Sequence, residues 1–149
     1  MIGQLTKEQI DTLLVSCVVG HLGCCADNAP YVVPIAYAYD GNNIYSHARE
    51  GTKIDLMRKN PQVCLEVDQI DDLSNWRSVI IWGTFEELQG EEAETAMQWL
   101  KNRLYPIKAS FYSQALLELT AKERGQTKET KEVLYRIRIT QKTGRFEKG

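Results

Sequence analysis

The fold is decided by residues 31–68, which read YVVPIAYAYDGNNIYSHAREGTKIDLMRKNPQVCLEVD. The first nine residues are rich in tyrosine and valine, residue types that favour extended backbone. Asp40-Gly41 follows as a strong hairpin signal, and residues 43–47 continue as the returning strand. We therefore predict an antiparallel β-hairpin at the start of this stretch.

A short helix follows the predicted hairpin. Residues 51–59 place Ile54 and Met57 on one helical face. The helix is expected to end at Asn60, because a residue that precedes proline is disfavoured in the helical conformation. Residues 62–67 then resume a β-rich pattern. The stretch thus predicts strand, strand, helix and strand in succession.

Further elements extend the same organisation to both sides. We predict strands at residues 17–26, 76–86 and 133–139, helices at 6–14, 91–104 and 111–120, and loops at 68–75 and 122–131. Six strands joined mainly by hairpins indicate a mainly β chain, an antiparallel barrel with peripheral helices. A length of 149 residues favours a single domain over residues 1–149.

Composition excludes several classes of partner. The net charge of -2, with 26% charged residues, provides no field that would attract nucleic acid or an acidic membrane surface. The sequence has no apolar run of the roughly 18 residues that cross a bilayer. The four cysteines form no CxxC pair and no dense disulfide spacing, which is typical of a reducing compartment. We expect a cytoplasmic protein.

The start of the predicted helix is a candidate anion site. Lys53 lies in its first turn, where a cation is disfavoured by the helix dipole unless something negative is nearby. Arg49 precedes it, the Thr52 hydroxyl can donate a hydrogen bond, and Gly51 permits close approach. The alternative interpretation is an ordinary solvated helix end, and the local pattern does not decide between the two.

Two other residues attract attention near this site. Pro34 interrupts a strand and cannot donate to a ladder, so we expect it at a sheet edge or a bulge. His47 closes the returning strand, from where its imidazole could hydrogen-bond a ring or a substrate. A plain edge strand and a structural histidine are the respective alternatives.

A metal site is not expected in the segment that is rich in cysteine and histidine. Alternation along a strand sends His21 and Cys24 to opposite faces. His21 and Cys25 share a face but lie about 13 Å apart along an extended strand, too far for one ion with bonds near 2 Å. Cys17 does not change this, and we predict no metal ligands.

Three segments in this order resemble a known family. They are GHLGCCADNAPYVVPIAYAYDGNNIYSHAREGTKIDLMRKNPQVCLEVD, WRSVIIWGTFEEL and YRIRITQKTGRFE. Together they resemble the pyridoxamine 5'-phosphate oxidase-like flavin-binding split-barrel superfamily, and most of all its nitroimidazole-resistance-type branch. The resemblance implies a six-stranded split barrel that forms a homodimer and binds FMN, sometimes FAD, in a cleft between the subunits.

The resemblance also implies roles for individual residues. The strand along the isoalloxazine ring corresponds to Val33, Pro34 and Ile35, and the next strand to Ser46 and His47. The phosphate-binding lysine corresponds to Lys53, beside Arg49 and Thr52. A strand start that reaches the cofactor from the partner chain corresponds to Trp76, Arg77 and Ser78.

Two functional hypotheses remain open at this stage. The first is an FMN-dependent oxidoreductase that acts on a small-molecule substrate or electron acceptor, with His47 at the position of the active-site histidine for which nitro-group reduction has been proposed. The second is a non-catalytic module that holds flavin or haem for storage or sensing, because no acid, base or nucleophile array accompanies His47. Pyridoxine metabolism is not expected, since the longer C-terminal segment of the true oxidases has no counterpart after Arg145.

Overall fold

The computed structural model describes residues 1–104, Pro106 and 132–149. The predicted helix at 111–120 and the predicted loop at 122–131 lie outside the described residues. The described strands are β1 (Ile2–Gln4), β2 (Val19–Ala26), β3 (Ala29–Ala36), β4 (Ala38–Tyr39), β5 (Asn43–Arg49), β6 (Gln62–Asp72), β7 (Asn75–Glu87) and β8 (Glu132–Lys148). The helices are α1 (Lys7–Ser16), α2 (Thr52–Lys59) and α3 (Gly90–Leu104).

The strands form one antiparallel sheet that curls into a barrel. The order across the sheet is β3-β2-β6-β7-β8-β5-β4, and β1 pairs with the end of β8. The first and last strands of this order, β3 and β4, are separated in the chain only by Tyr37. The two ends of the sheet therefore meet, and the mainly β barrel with peripheral helices is confirmed. The six predicted strands are all present, the one at residues 31–39 is divided at Tyr37 into β3 and β4, and the short β1 is additional.

The prediction of an acidic loop at residues 68–75 is wrong. β6 continues to Asp72, and β7 begins at Asn75. The Asp72 carboxylate accepts hydrogen bonds from the Ser74 backbone N–H at 2.8 Å and from Asn75 Nδ2 at 3.0 Å. These hydrogen bonds from Asp72 close a tight turn at residues 73–74. The residues before Asp72 can therefore remain in the strand β6 instead of forming a loop.

The last strand is much longer than the predicted 133–139. One edge of β8 pairs with β7 along almost its whole length, while its other edge pairs first with β5 and then with β1. β7 and β8 approach closely at Gly83, where an added Cβ would lie 2.5 Å from the carbonyl oxygen of Arg138. Only glycine fits this position, beside a bulge in the ladder.

The barrel interior and the outer face under α3 hold separate cores. Side chains of α1 and α2, among them Leu14 and Met57, are fully buried with the inward side chains of the strands. α1 begins with the predicted capping box, since Thr6 Oγ1 accepts from the Gln9 N–H while Gln9 Oε1 accepts from the Thr6 N–H. α3 packs its Leu100 against the outside of the barrel in a second cluster. Within the described ranges, none of the helices is long and apolar enough to cross a membrane.

Candidate functional site

The N-terminus of α2 is open toward solvent. Gly51 occupies the cap position, and none of the described side chains caps the helix there. An added Cβ on Gly51 would meet only the carbonyl oxygen of Arg49, at 3.9 Å. The Thr52 side chain is exposed and that of Lys53 is half-buried. Uncapped backbone N–H groups and the Thr52 hydroxyl therefore lie at an open helix start that also carries Arg49 and Lys53, the combination of groups that binds phosphate.

The charges around this space favour an anion. Burial raises the pKa of the Cys24 thiol, Cys25 and Cys64 add to the rise, and the nearby Lys53 ammonium opposes it. Lys53 therefore lies beside β2. The one acidic residue between Arg49 and Gly51 is Glu50, and its carboxylate forms an ion pair with Arg58. The Glu50 charge is thus compensated, while Asp55 in the first turn of α2 is a second carboxylate near the site.

β3 presents only one of its three predicted site residues to the outside. Val33 and Ile35 point inward and pack with the barrel core, so their backbone alone is available to a ligand. Pro34 is exposed and pairs with His21 of β2. Because β3 ends the sheet order, the prediction of an edge proline is confirmed.

Ser46 has a structural contact in this arrangement. It is buried, and its hydroxyl donates to the carbonyl oxygen of Ala36 at 2.7 Å, which ties β5 to the end of β3. Ser46 pairs with Tyr135 on the neighbouring strand β8. The Tyr135 side chain is fully buried, and this burial raises the pKa of its hydroxyl to about 12. The Ser46 hydroxyl is therefore buried and donates its hydrogen bond within the protein.

His47 is buried and paired with a carboxylate. Its Nδ1 lies 2.9 Å from Oε2 of Glu132, and the two side chains are 3% and 6% exposed. Nε2 is also buried and has no hydrogen-bond partner among the residues that the structure describes. Sequence reasoning missed Glu132, because the two residues are 85 positions apart and meet only through the pairing of β5 with β8. In this structure His47 does not reach the surface of the barrel.

The start of β7 forms a separate polar group. Trp76 Nε1 donates to Glu147 at 3.1 Å, and Arg77 donates to Gln69 at 2.7 Å. Both residues line a cavity of about 330 Å³ with Leu5, Gln9, Gln69, Asp71, Asn75, Phe146, Glu147 and Lys148. Trp76 and Arg77 are therefore placed where a ligand can be received.

This group is distant from the α2 site within one chain. Lys53 lies near Cys24, whose neighbour Gly23 pairs with Cys64. Ser78 instead pairs with Asp68, four residues farther along β6 and so about 13 Å away. The start of β7 is thus separate from the α2 site within one chain, whereas Ser78 is connected to Pro34 through Glu66 and His21.

Glu66 was not predicted, yet it connects several polar side chains. Ser78 Oγ donates to its Oε2 at 2.7 Å, and His21 Nδ1 lies 3.4 Å from its Oε1. Burial raises the pKa of Glu66 and the nearby Asp68 raises it further, against the opposing hydrogen bond from Ser78. The contacts cross β2, β6 and β7, so strand register decides them.

An apolar row crosses the outer face of the sheet. Register places Val32, Gly23, Cys64 and Trp82 side by side on β3, β2, β6 and β7, and we call them the outer row. Val32 is 67% exposed and Trp82 39% exposed. Ile80 lies beside this row and is exposed too. A contiguous exposed apolar patch on a sheet commonly marks a binding surface.

Comparison with known proteins adds to these observations. A family model described as pyridoxamine 5'-phosphate oxidase matches residues 6–146 of this chain. An uncharacterized protein of Rhizobium meliloti (strain 1021) is 36% identical over 98 residues, which cover 64% of this chain. The match spans 65% of that relative, slightly less than two thirds of its length.

Two solved structures have similar folds. The crystal structure of a FAD-binding protein from Mesorhizobium loti gives a TM-score of 0.70 at 27% identity, covering 100% of this chain and 98% of that one. The crystal structure of a candidate 5-nitroimidazole antibiotic resistance protein from Bacteroides thetaiotaomicron gives a TM-score of 0.72 at 18% identity. The match covers 98% of this chain and 87% of that one. At 18% identity, the similarity to the Bacteroides thetaiotaomicron protein concerns the fold alone.

Proposed function

The chain belongs to the pyridoxamine 5'-phosphate oxidase family, and on that premise we propose that it is a flavin-binding protein, with FMN as the first candidate and FAD as the second. The observation that carries the proposal is the open N-terminus of α2, where the N–H groups are uncapped, Gly51 leaves room for a ligand, and Thr52 and Lys53 lie in the first turn. The similar Mesorhizobium loti protein, which is described as FAD-binding, supports the choice of a flavin.

The residues of the chain would hold the flavin at several points. Lys53, Arg49 and the Thr52 hydroxyl would bind its phosphate, and Pro34 with the adjoining β3 backbone would flank its ring. A bound flavin supplies hydride or electron transfer, and the protein contributes binding, orientation and exclusion of water. Trp76 and Arg77 line a cavity of their own, and we propose that they reach the flavin of the partner subunit.

This arrangement requires a homodimer, which we also propose. Within one chain, the α2 site and the Trp76 cavity lie at separate places. In a twofold dimer, the Trp76 cavity of one subunit would lie beside the α2 site of its partner. The outer row supplies an apolar surface for the contact. All four cysteines are unpaired thiols, which supports a reducing compartment such as the cytoplasm.

Replacing Lys53 by alanine is expected to weaken FMN binding by about 1 to 3 kcal/mol, which corresponds to about 5- to 150-fold. The variant loses a charge-assisted hydrogen bond to the phosphate. Flavin fluorescence titration of the apoprotein measures the change. Lys59→Ala is the matched control, since Lys59 lies at the other end of α2 and is 65% exposed. Equal affinities of the two variants would place the phosphate elsewhere.

Replacing Trp82 by aspartate is expected to dissociate the proposed dimer. A charge at the β7 end of the outer row costs about 2 kcal/mol or more of association energy, because an aromatic anchor that the dimer would bury is lost and a carboxylate is desolvated. Sedimentation velocity measures the mass, and circular dichroism checks that the monomer is folded. The control is Leu73→Asp in the exposed β6–β7 turn. A wild-type dimer that persists in Trp82→Asp would show that another surface associates.

For the reaction, we propose an oxidoreductase that reduces small compounds such as nitroaromatics. The burial of His47 favours a second candidate, a non-catalytic module that holds flavin or haem, because an enclosed imidazole does not contact a substrate. The deciding experiment is a visible spectrum of untagged protein, with mass identification of the released cofactor, followed by NADH or NADPH turnover with a nitroaromatic acceptor. Turnover that His47→Ala abolishes supports the enzyme, and a flavin-loaded protein without turnover supports the module.

A further inference from the structure

Three potential metal ligands meet on the outer face of the sheet. His21 of β2 pairs directly with Glu66 of β6, and Asp68 lies two residues along the same strand and therefore on the same face. His21 Nδ1 lies 3.4 Å from Glu66 Oε1. One ligand atom from each of the three side chains lies within 4.8 Å of the other two.

These distances suit a single ion. Bonds of about 2.0 to 2.2 Å in a tetrahedral site place ligand atoms about 3.3 Å apart, close to the separation of His21 from Glu66. The Asp68 ligand atom lies within 4.8 Å of the other two, so a shift of at most about 1.5 Å brings it to the same spacing. One imidazole and two carboxylates form a mixed nitrogen and oxygen set, which suits Mn²⁺ or Zn²⁺.

A neighbouring side chain already orients the central ligand. Ser78 Oγ donates to Glu66 Oε2 at 2.7 Å, so that Oε1 is the oxygen that faces His21. Hydrogen bonds that hold a carboxylate in this way are typical of metal ligands. The two carboxylates also lie close together without a lysine or arginine ion pair to either of them among the described residues. A cation between them would relieve this repulsion.

The cluster opens onto space that can hold further ligands. A cavity of about 460 Å³ is lined by His21 and Asp68 together with Ser16, Cys17, Val18, Val19 and Arg103. Three protein ligands leave coordination positions for water or a small anion, and the Arg103 guanidinium on the cavity wall suits an anion. The ligand set and the cavity are independent observations at one place.

We propose that His21, Glu66 and Asp68 bind a divalent transition-metal ion whose open coordination positions face this cavity. The proposal rests on residues other than those that would bind the flavin phosphate, although His21 pairs with Pro34, which would flank the flavin. It reverses the expectation of no metal ligands, because that expectation considered neighbours along one strand, whereas these ligands come together across two strands.

Mn²⁺ is the first probe, since it prefers oxygen and imidazole to the thiolates that four free cysteines would offer to softer ions. The protein as purified is stripped with EDTA, and binding is followed by the loss of the free Mn²⁺ signal in electron paramagnetic resonance. We expect one site per chain. His21→Ala and Glu66→Gln should each weaken binding at least about tenfold. Glu8→Gln, an exposed carboxylate on α1, is the matched control and should bind as the wild type does.

A second readout uses the fact that the chain has only two histidines. Titration with Zn²⁺ should shift one imidazole resonance, the one that His21→Ala removes, and leave that of His47 in place. Thermal melting verifies that each variant is folded, and visible absorbance reports flavin content separately. The proposal is overturned if millimolar Mn²⁺ does not bind, or if His21→Ala and Glu66→Gln retain wild-type affinity.

Discussion

Replacing Glu132 by alanine is expected to lower the free energy of unfolding by about 3 to 5 kcal/mol, the cost of removing one partner from a buried pair. The side chains of His47 and Glu132 are almost completely buried, and their contact at 2.9 Å joins β5 to the start of β8. Without the carboxylate, Nδ1 of His47 loses this contact in a place that water does not reach. Urea unfolding followed by circular dichroism measures the difference.

The chain contains a matched control for this effect. His21 and Glu66 are the same residue types in contact at 3.4 Å, but their side chains are 52% and 31% exposed. Glu66→Ala is therefore expected to cost about 1 kcal/mol or less, because solvent screens the pair. EDTA in the buffer keeps metal ions out of the comparison. Equal losses in the two variants would mean that burial does not determine the value of these contacts.

Replacing Leu65 by alanine is expected to destabilise the barrel by about 2 to 5 kcal/mol. Leu65 lies in β6, fully buried, and it pairs with Leu22 on one side and with Ile81 on the other. Truncation would leave a cavity between strands that cannot collapse, since β2 and β7 are held in register by their ladders. The midpoint of urea unfolding should fall while its slope remains unchanged.

Leu73→Ala is the control for Leu65→Ala, because it makes the same change of side chain at an exposed position. Leu73 belongs to the turn between β6 and β7 and is 92% exposed. Its removal should change the unfolding free energy by about 0.5 kcal/mol or less. If Leu73→Ala were as costly as Leu65→Ala, the turn would have to be covered in solution, and a larger association surface than the outer row would be indicated.

Both proposals depend on how the sheet presents its outer face. Pro34, His21, Glu66 and Ile80 follow one another across four paired strands, one step away from the outer row. The proposed metal ligands therefore lie between Pro34, which would flank the flavin, and Ile80, beside the proposed dimer contact. A metal ion at this place could influence either property, so flavin content and mass should be measured with and without Mn²⁺.

Much of the fold could be predicted from local patterns. The capping box at Thr6, the Asp40-Gly41 turn and the helix that ends before Pro61 are all present in the structure. Each of these features arises from residues within four positions of one another, where backbone preference and side-chain capping act directly. The candidate anion site at Lys53 belongs to the same class, because helix polarity is a local property.

The two errors in the predicted strands have different causes, one local and one non-local. The acidic composition of residues 68–75 indicated a loop, but a single capping aspartate, Asp72, shortens the turn to two residues. The last strand was predicted too short, because its second half carries few apolar residues and depends on β7 and β1 for its pairing. A strand held by its neighbours need not show the alternation that would reveal it.

The sequence by itself determined the class of fold, the edge position of Pro34 and a helix start that can receive a phosphate. Only the tertiary structure decided that His47 is enclosed with Glu132 and that His21 meets Glu66 and Asp68. The physical reason is register. A strand pattern specifies which face a side chain occupies, but its neighbour on the next strand depends on how two distant segments are aligned, and a shift by one residue would replace every such contact.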